Sequence, residues 1–489
     1  MKATVRARPS LTRTLSWAAI AVGVIARVYS LVVRPLWADE IFTLQVARRS
    51  VSEILTALRV DSGPPFHYVL AHVILAPFGP APNASDVLVR LISLAASLLH
   101  LPLLVAVAGR LGREEAGLPA AALYSVFPLA VAYGTEGRAY ALASFLVLLA
   151  FERALALRER PRLLTALGLT LAAAGGVLTH YLAVFPVAAL AILALDARPA
   201  ARHALVLSGL AAAALVAPWV PVALAQPRAS MAWSTGAGFA SALRDFPANL
   251  AFGAPATGPA TAALGVAGAL VLAALLARAF RGAFSPVARV FALSLGLLAL
   301  ASLGAGALVL PERTALVFLP FAVLLLAAAP PIVPAAVGTL ATALLALWLS
   351  RAAEPSPGVL LARLLEAPAL AGRRILAAGY WGPELDYRLQ RAGAPGRVVL
   401  FPSAVAAHPG WYHEEDLRNA TLAAEAEAIL SAPRAPTLFV LPRGSRASAA
   451  IASRLGHARR LLSSPLVDVV ETRDPVARGT GRFAESPDP

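Results

Sequence analysis

The chain has 489 residues, 58% of them hydrophobic and only 14% charged, whereas a soluble domain carries roughly a quarter charged residues. With a mean hydropathy of +0.71, this excludes an ordinary water-soluble protein and points to a polytopic membrane protein. The net charge of +15 does not indicate nucleic acid, because Lys2 is the single lysine and the arginines are scattered between apolar runs; the absence of Cys (0) excludes disulfides, thiolate metal sites and a thiol nucleophile.

Lys2, Arg6, Arg8 and Arg13 precede an apolar run too long for a signal-peptide core, so the N-terminus reads as an uncleaved first span. A helix needs about 20 apolar residues to cross the hydrocarbon, and backbone groups inside lipid must bond within their own segment. Runs near 15–34, 87–108, 118–133, 138–152, 163–180, 181–195, 204–224, 260–280, 287–309, 314–329 and 332–350 give an expectation of about 11 spans, within a range of 10 to 13.

Arg110 and Arg113, then Arg153, Arg158, Arg160 and Arg162, then Arg198 and Arg202, then Arg278 and Arg281 mark every second connection. By the positive-inside rule these join the N-terminus on the cytoplasmic face. The segment FHYVLAHVILAPFG (66–79) is too short to span comfortably, and a crossing there would reverse every later Arg cluster. It is therefore expected in or on the outer leaflet, within a long first outer loop of about 35–86, even though Arg34, Arg48, Arg49 and Arg59 in that loop run against the charge bias.

The outer face then receives WADE (37–40), DSGPPFHY (61–68), YGTEGRAY (133–140), THY (179–181), a loop of about 225–258 and PERT (311–314). The inner loops carry mostly Arg and no Walker-type nucleotide-binding pattern, which argues against an ATP-driven pump. No internal repeat is visible. Beyond the EPSPG linker near 351, apolar runs at 375–379, 398–401, 437–442 and 466–470 alternate with helix-like stretches such as EEDLRNATLAAEAEAIL. That pattern predicts a small extracytoplasmic α/β domain over 351–474, followed by a disordered tail at 475–489.

Local chemistry singles out a few polar groups. Asp39 and Glu40 follow the first span directly; they are either a general base or metal ligands, or the solvated start of a loop beside an interfacial Trp37. Asp61, Pro64, Pro65 and His67 form either a second wall of one pocket or the start of an interfacial helix. Glu136 and Arg138 either close a helical hairpin or, through the guanidinium, hold a lipid-linked phosphate. Arg313 is open to the same phosphate role or to simple snorkelling, and His180 with Tyr181 reads first as part of an aromatic belt. In the C-terminal domain Tyr380, Trp381 and Trp411 are candidates for sugar stacking, with core packing the favoured reading. Asn83 and Asn419 fit the glycosylation pattern by chance as easily as by design.

In order along the chain, WADE, D-x-G-P-P-F-H-Y, YGTEGRAYAL, LTHYLAVFPVAAL and PERTALVFLPFAVLLLA resemble the bacterial membrane glycosyltransferases similar to protein O-mannosyltransferases and lipid A aminoarabinose transferases, a group related to glycosyltransferase family 39. The resemblance covers about the first 350 residues. It implies a GT-C fold: a mainly helical transmembrane module over 1–350, with the small α/β domain after it. It further implies transfer of a sugar from a polyprenyl-phosphate donor, with inversion, to a glycan, lipid or protein acceptor outside the cytoplasmic (inner) membrane. Asp39 matches the loop acid taken as catalytic base and Glu40 its neighbour. Glu136 and Arg138 match the second-loop acid and Arg, and Arg313 an Arg that resembles a carrier-phosphate ligand. Where similar sequences often place a His before the two prolines, this chain has Gly63, so no role of that His carries over.

No cofactor is required by this reading, because the activated donor is itself a lipid; Mg²⁺ or Mn²⁺ at the Asp39–Glu40 pair stays open. The competing class is a transporter or flippase of lipid-linked saccharides, which predicts a central polar pathway rather than charges gathered at one rim. A non-catalytic assembly protein is the third, and it predicts that Asp39→Asn is silent.

Overall fold

The computed structural model describes residues 11–79, 86–226, 239–253, 260–305, 313–352, 354–370, 372–379, 381–407, 417–431, 437–455 and 458–472. The chain divides into two compact units: the described residues of Met1–Arg34, Val51–Pro77 and Val87–Ala353, and those of Pro35–Ser50, Phe78–Asp86 and Glu354–Pro489.

The first unit is helical. Among the described residues 7 helices are long and apolar enough to cross a membrane, or 8 if one bent pair counts as a single span. The count of about 11 read from the sequence is thus not reached by full-length helices. The other expected spans near 163–180, 181–195 and 314–329 are helices of 10–17 residues. The run at 118–133 is the bent pair, Glu114–Val126 and Pro128–Gly134, which meet at 66°. The cause is local: Phe127, standing before Pro128, is pushed out of the helical region to φ −67°, ψ 121°. Phe66–Leu75, with 10 residues, is too short to span, as its sequence suggests.

Large apolar side chains such as Leu164 and Leu224, each 82% exposed, coat the outside of the unit, as a lipid-facing surface requires. Inside, small residues permit close helix approach: a Cβ at Gly23 of Leu11–Val33 would strike the Ser125 carbonyl of Glu114–Val126. Buried polar groups are tied to neighbouring helices. Arg27 donates to Ser97 Oγ (2.9 Å) and to the carbonyls of Gly23 (2.9 Å) and Ser125 (2.7 Å). His100 meets Ser144 Oγ at 3.1 Å, and that hydroxyl donates to the Leu316 carbonyl at 2.8 Å. The Arg clusters at the other helix ends also find acids, with Arg110 on Glu152 and Glu159, and Arg158 and Arg289 both on Asp196.

The second unit contains a 5-stranded sheet of β1 (Arg374–Ala378), β2 (Val398–Phe401), β3 (Thr437–Pro442), β4 (Arg459–Ser463) and β5 (Val467–Thr472), in the order β2-β1-β3-β5-β4. β2, β1 and β3 are parallel, and β5 and β4 add antiparallel. Parallel strands need helices on both faces. Accordingly Leu376, Phe439 and Val470 pack on one face with Leu422 and Leu430 of Asn419–Ser431. Ile375, Leu438 and Val469 pack on the other with Leu385 and Leu389 of Trp381–Arg391. Full burial of Phe401 and Phe439 contributes about 1.5–3 kcal/mol each.

The helix Ala38–Ala47 also belongs to this unit and packs against Trp381–Arg391.

Candidate active-site residues

In the first unit, the polar residues of three sequence-distant segments gather at one end of the helices. Pro128–Gly134 stops at Gly134 and Tyr140 opens the next helix, so Glu136 and Arg138 occupy the intervening turn. The turn is tight: the Arg138 N–H donates to the Glu136 carbonyl at 2.7 Å, and Ser93 Oγ donates to the Arg138 carbonyl at 2.9 Å. A Cβ at Gly137 would press on Val89 at 3.1 Å, so the turn packs closely here.

Arg138 Nη1 reaches Tyr68 Oη at 3.5 Å. Tyr68 Oη and Asp61 Oδ2 each stand 3.8 Å from where a Cβ at Gly63 would lie, so both border the space beside Gly63. The His67 ring lies edge-on to Tyr68 with centroids 5.9 Å apart. Burial pushes His67 down to about 3, and the Arg138 charge adds to that, against a hydrogen bond with the Gly137 backbone. It is therefore a neutral ring at physiological pH.

Tyr133, Tyr140 and His180 form a chain of ring contacts at 5.3 and 5.2 Å. The charges of both Arg138 and Arg313 reach His180. His180 also ends the helix Leu163–Thr179 in extended backbone, and its Nδ1 accepts from the Leu182 N–H at 3.3 Å. Tyr181 has a different environment. Its hydroxyl donates to Gln226 Oε1 at 2.8 Å and accepts from Trp219 Nε1 at 2.9 Å. Gln226 Nε2 then donates to the carbonyls of Leu58 (2.7 Å) and Gly63 (3.1 Å), bracketing buried Asp61.

The second unit holds Asp39 and Glu40 in the first turn of Ala38–Ala47, where acids complement the exposed backbone N–H groups of a helix start. Both are buried, at 6% and 0% exposure, in place of the solvated loop their neighbourhood also allowed. Glu40 Oε2 accepts from the Trp37 N–H at 3.4 Å, and the Asp39 carbonyl accepts from Thr43 Oγ1 at 3.0 Å. Among the described residues, no group of three or more His, Asp or Glu side chains is placed to hold a metal ion.

Trp381 packs as a partly buried member of the core cluster beneath the sheet, while Tyr380, Trp411 and Asn83 lie outside the described residues. Asn419 Oδ1 accepts from Arg446 Nε at 3.0 Å. Sequence reading passed over Gln226, Trp219, Asp86, Tyr387 and Arg388. A polar Gln closing the apolar run APWVPVALAQ, and the Glu384/Arg388 pair at i,i+4, are the signals that mark two of them.

The family model for dolichyl-phosphate-mannose-protein mannosyltransferases matches residues 62–221 of this chain. ArnT from Cupriavidus metallidurans in the apo state superposes with a TM-score of 0.60 at 13% identity, covering 94% of this chain and 98% of that one. The same protein bound to undecaprenyl phosphate gives 0.58 at 13% identity, covering 95% and 99%. No curated protein sequence matches at a significant level. The chain therefore has the GT-C fold of membrane glycosyltransferases. The family-model match lies within the stretch whose motif order resembles that group.

Proposed function

We propose that this protein is an inverting membrane glycosyltransferase that takes a sugar from a polyprenyl-phosphate donor and gives it to a hydroxyl-bearing acceptor, with Asp39 as general base. The observation that carries the reading is a buried acid pair built into the first turn of a helix directly after the first span. A helix start holds the two carboxylates in fixed geometry, without a flexible loop, as a general base requires. The base removes the acceptor proton as the acceptor oxygen bonds to the anomeric carbon. The bond from that carbon to the phosphate oxygen breaks with its electron pair, leaving polyprenyl phosphate.

The leaving group gathers negative charge, and Arg138 and Arg313 are assigned to it, with Glu136 and Asp61 holding the surrounding polar groups. A guanidinium in a water-poor setting stabilises such charge far better than in bulk water. His67 is neutral and serves as a hydrogen-bonding wall. His180 and the tyrosines supply an aromatic surface for the donor. The reaction is placed on the extracytoplasmic side of the inner membrane, with the N-terminus in the cytoplasm, from the Arg distribution among the loops.

Against a flippase, the buried Arg27 and His100 each bond both their own helix and a neighbouring one, which supports a structural network over a polar path. The test is turnover of labelled undecaprenyl-phosphate-mannose and undecaprenyl-phosphate-4-amino-4-deoxyarabinose in reconstituted vesicles by wild type and Asp39→Asn. Release of undecaprenyl phosphate by wild type alone supports the proposal. Labelled lipid that crosses the bilayer unchanged in both replaces it with the transporter reading.

A further inference from the structure

The helix Trp381–Arg391 holds both ends of the loop that carries the acid pair. At the start of the loop, Arg388 Nη2 donates to the Leu36 carbonyl at 2.7 Å. Leu36 is itself buried and lies three residues before Asp39. The guanidinium is fixed from behind, since its Nε donates to Glu384 Oε1 at 2.9 Å one helical turn away. At the end of the loop, the Tyr387 hydroxyl donates to the Asp86 carboxylate, and Arg391 pairs with the same carboxylate. Tyr387 and Arg391 are also one turn apart, so the helix uses two adjoining strips, one for each end of the loop.

We propose that Arg388 is a positioning residue for Asp39, an inference that rests on the reading of Asp39 as the base. Its forked N–H groups satisfy Glu384 and the Leu36 carbonyl together, in one plane. With that carbonyl fixed, the chain enters Trp37 and the first turn of Ala38–Ala47 in one direction, and the Asp39 carboxylate is carried on that turn. Arg388 touches no reacting atom in this scheme. It acts through four residues of backbone, and misplacing a base by about 1 Å costs on the order of 100-fold in rate.

The experiment measures kcat and donor KM in the undecaprenyl-phosphate-sugar assay, per folded molecule, for wild type, Arg388→Ala, Arg388→Lys, Glu384→Gln and Asp39→Asn. Arg388→Ala is expected to lower kcat about 10- to 100-fold with donor KM unchanged, since the base moves and the phosphate ligands do not. Lys should recover part of kcat by keeping one N–H donor to Leu36, and Glu384→Gln should lose less than Ala does. If Arg388→Ala lowers the melting temperature or yield while kcat per folded molecule stays at the wild-type value, Arg388 is merely structural and the proposal is overturned. If Arg388→Ala raises donor KM at constant kcat, it is overturned in favour of a donor-binding role. Should Asp39→Asn itself keep wild-type kcat, it is the reading of the base that fails, whatever Arg388 does.

Discussion

The turn at 133–140 and the segment at 35–50 both carry charge, yet they are built differently. In the first, Arg138 projects from a five-residue turn between helices and is steadied by side chains, Tyr68 at 3.5 Å and Ser93 through its backbone. In the second, the carboxylates sit within a regular helix, and it is the backbone before them that is gripped, at Leu36. A guanidinium that meets a phosphate tolerates rotation about its long stem. In the proposed scheme the general base does not, and the segment at 35–50 has the secondary structure and main-chain tether that such a role requires.

Substitutions can break that contrast. On the proposed reading Asp39→Asn removes the base and little of the shape, and turnover should fall about 1000-fold at unchanged donor KM, read by undecaprenyl phosphate release. Arg138→Ala should cost about 100-fold and Arg138→Lys distinctly less, because a point charge replaces part but not all of a forked donor; the same assay separates them. Gln226→Leu removes the brace on the carbonyls of Leu58 and Gly63 around Asp61, with an expected loss of about 1–3 kcal/mol in stability and a smaller fall in rate, measured by thermal unfolding in detergent.

A further effect is pH-dependent and is confined to acid conditions. His67 is pushed down to about 3 in the folded state, so the unfolded chain binds the extra proton between its ordinary value near 6.5 and about 3. Stability should therefore be fully present above that ordinary value and fall as pH drops through the window. His67→Gln should flatten this limb in a pH series of unfolding curves and leave the neutral range unchanged.

Much of the architecture was legible in residue patterns. Apolar runs separated by Arg clusters give the helices, and the runs at 375–379, 398–401, 437–442 and 466–470 give four of the strands. β4 was not legible because RRLLS carries two arginines and lies at the sheet edge, where one partner strand suffices. The bend at Phe127 was written in the following proline, yet hydropathy averaging over 118–133 hides a single-residue break. Asp61, His67, Arg138 and His180 stood out in the sequence, since ionisable groups beside apolar runs are conspicuous, whereas Tyr68 did not. Gln226 and Arg388 escaped because their partners are main-chain carbonyls at 58, 63 and 36, and a carbonyl leaves no mark in a sequence.

The two-ended grip of Trp381–Arg391 has a bearing on engineering. Residues 35–50 and the α/β fold fall in one compact unit although some 300 residues separate them in the chain. A chimera that grafts a foreign C-terminal domain should carry that domain's own counterpart of Pro35–Ser50 and of Asp86 with it. Grafted alone, the new domain would leave the Leu36 carbonyl and the Asp86 carboxylate facing a helix that was never shaped to receive them.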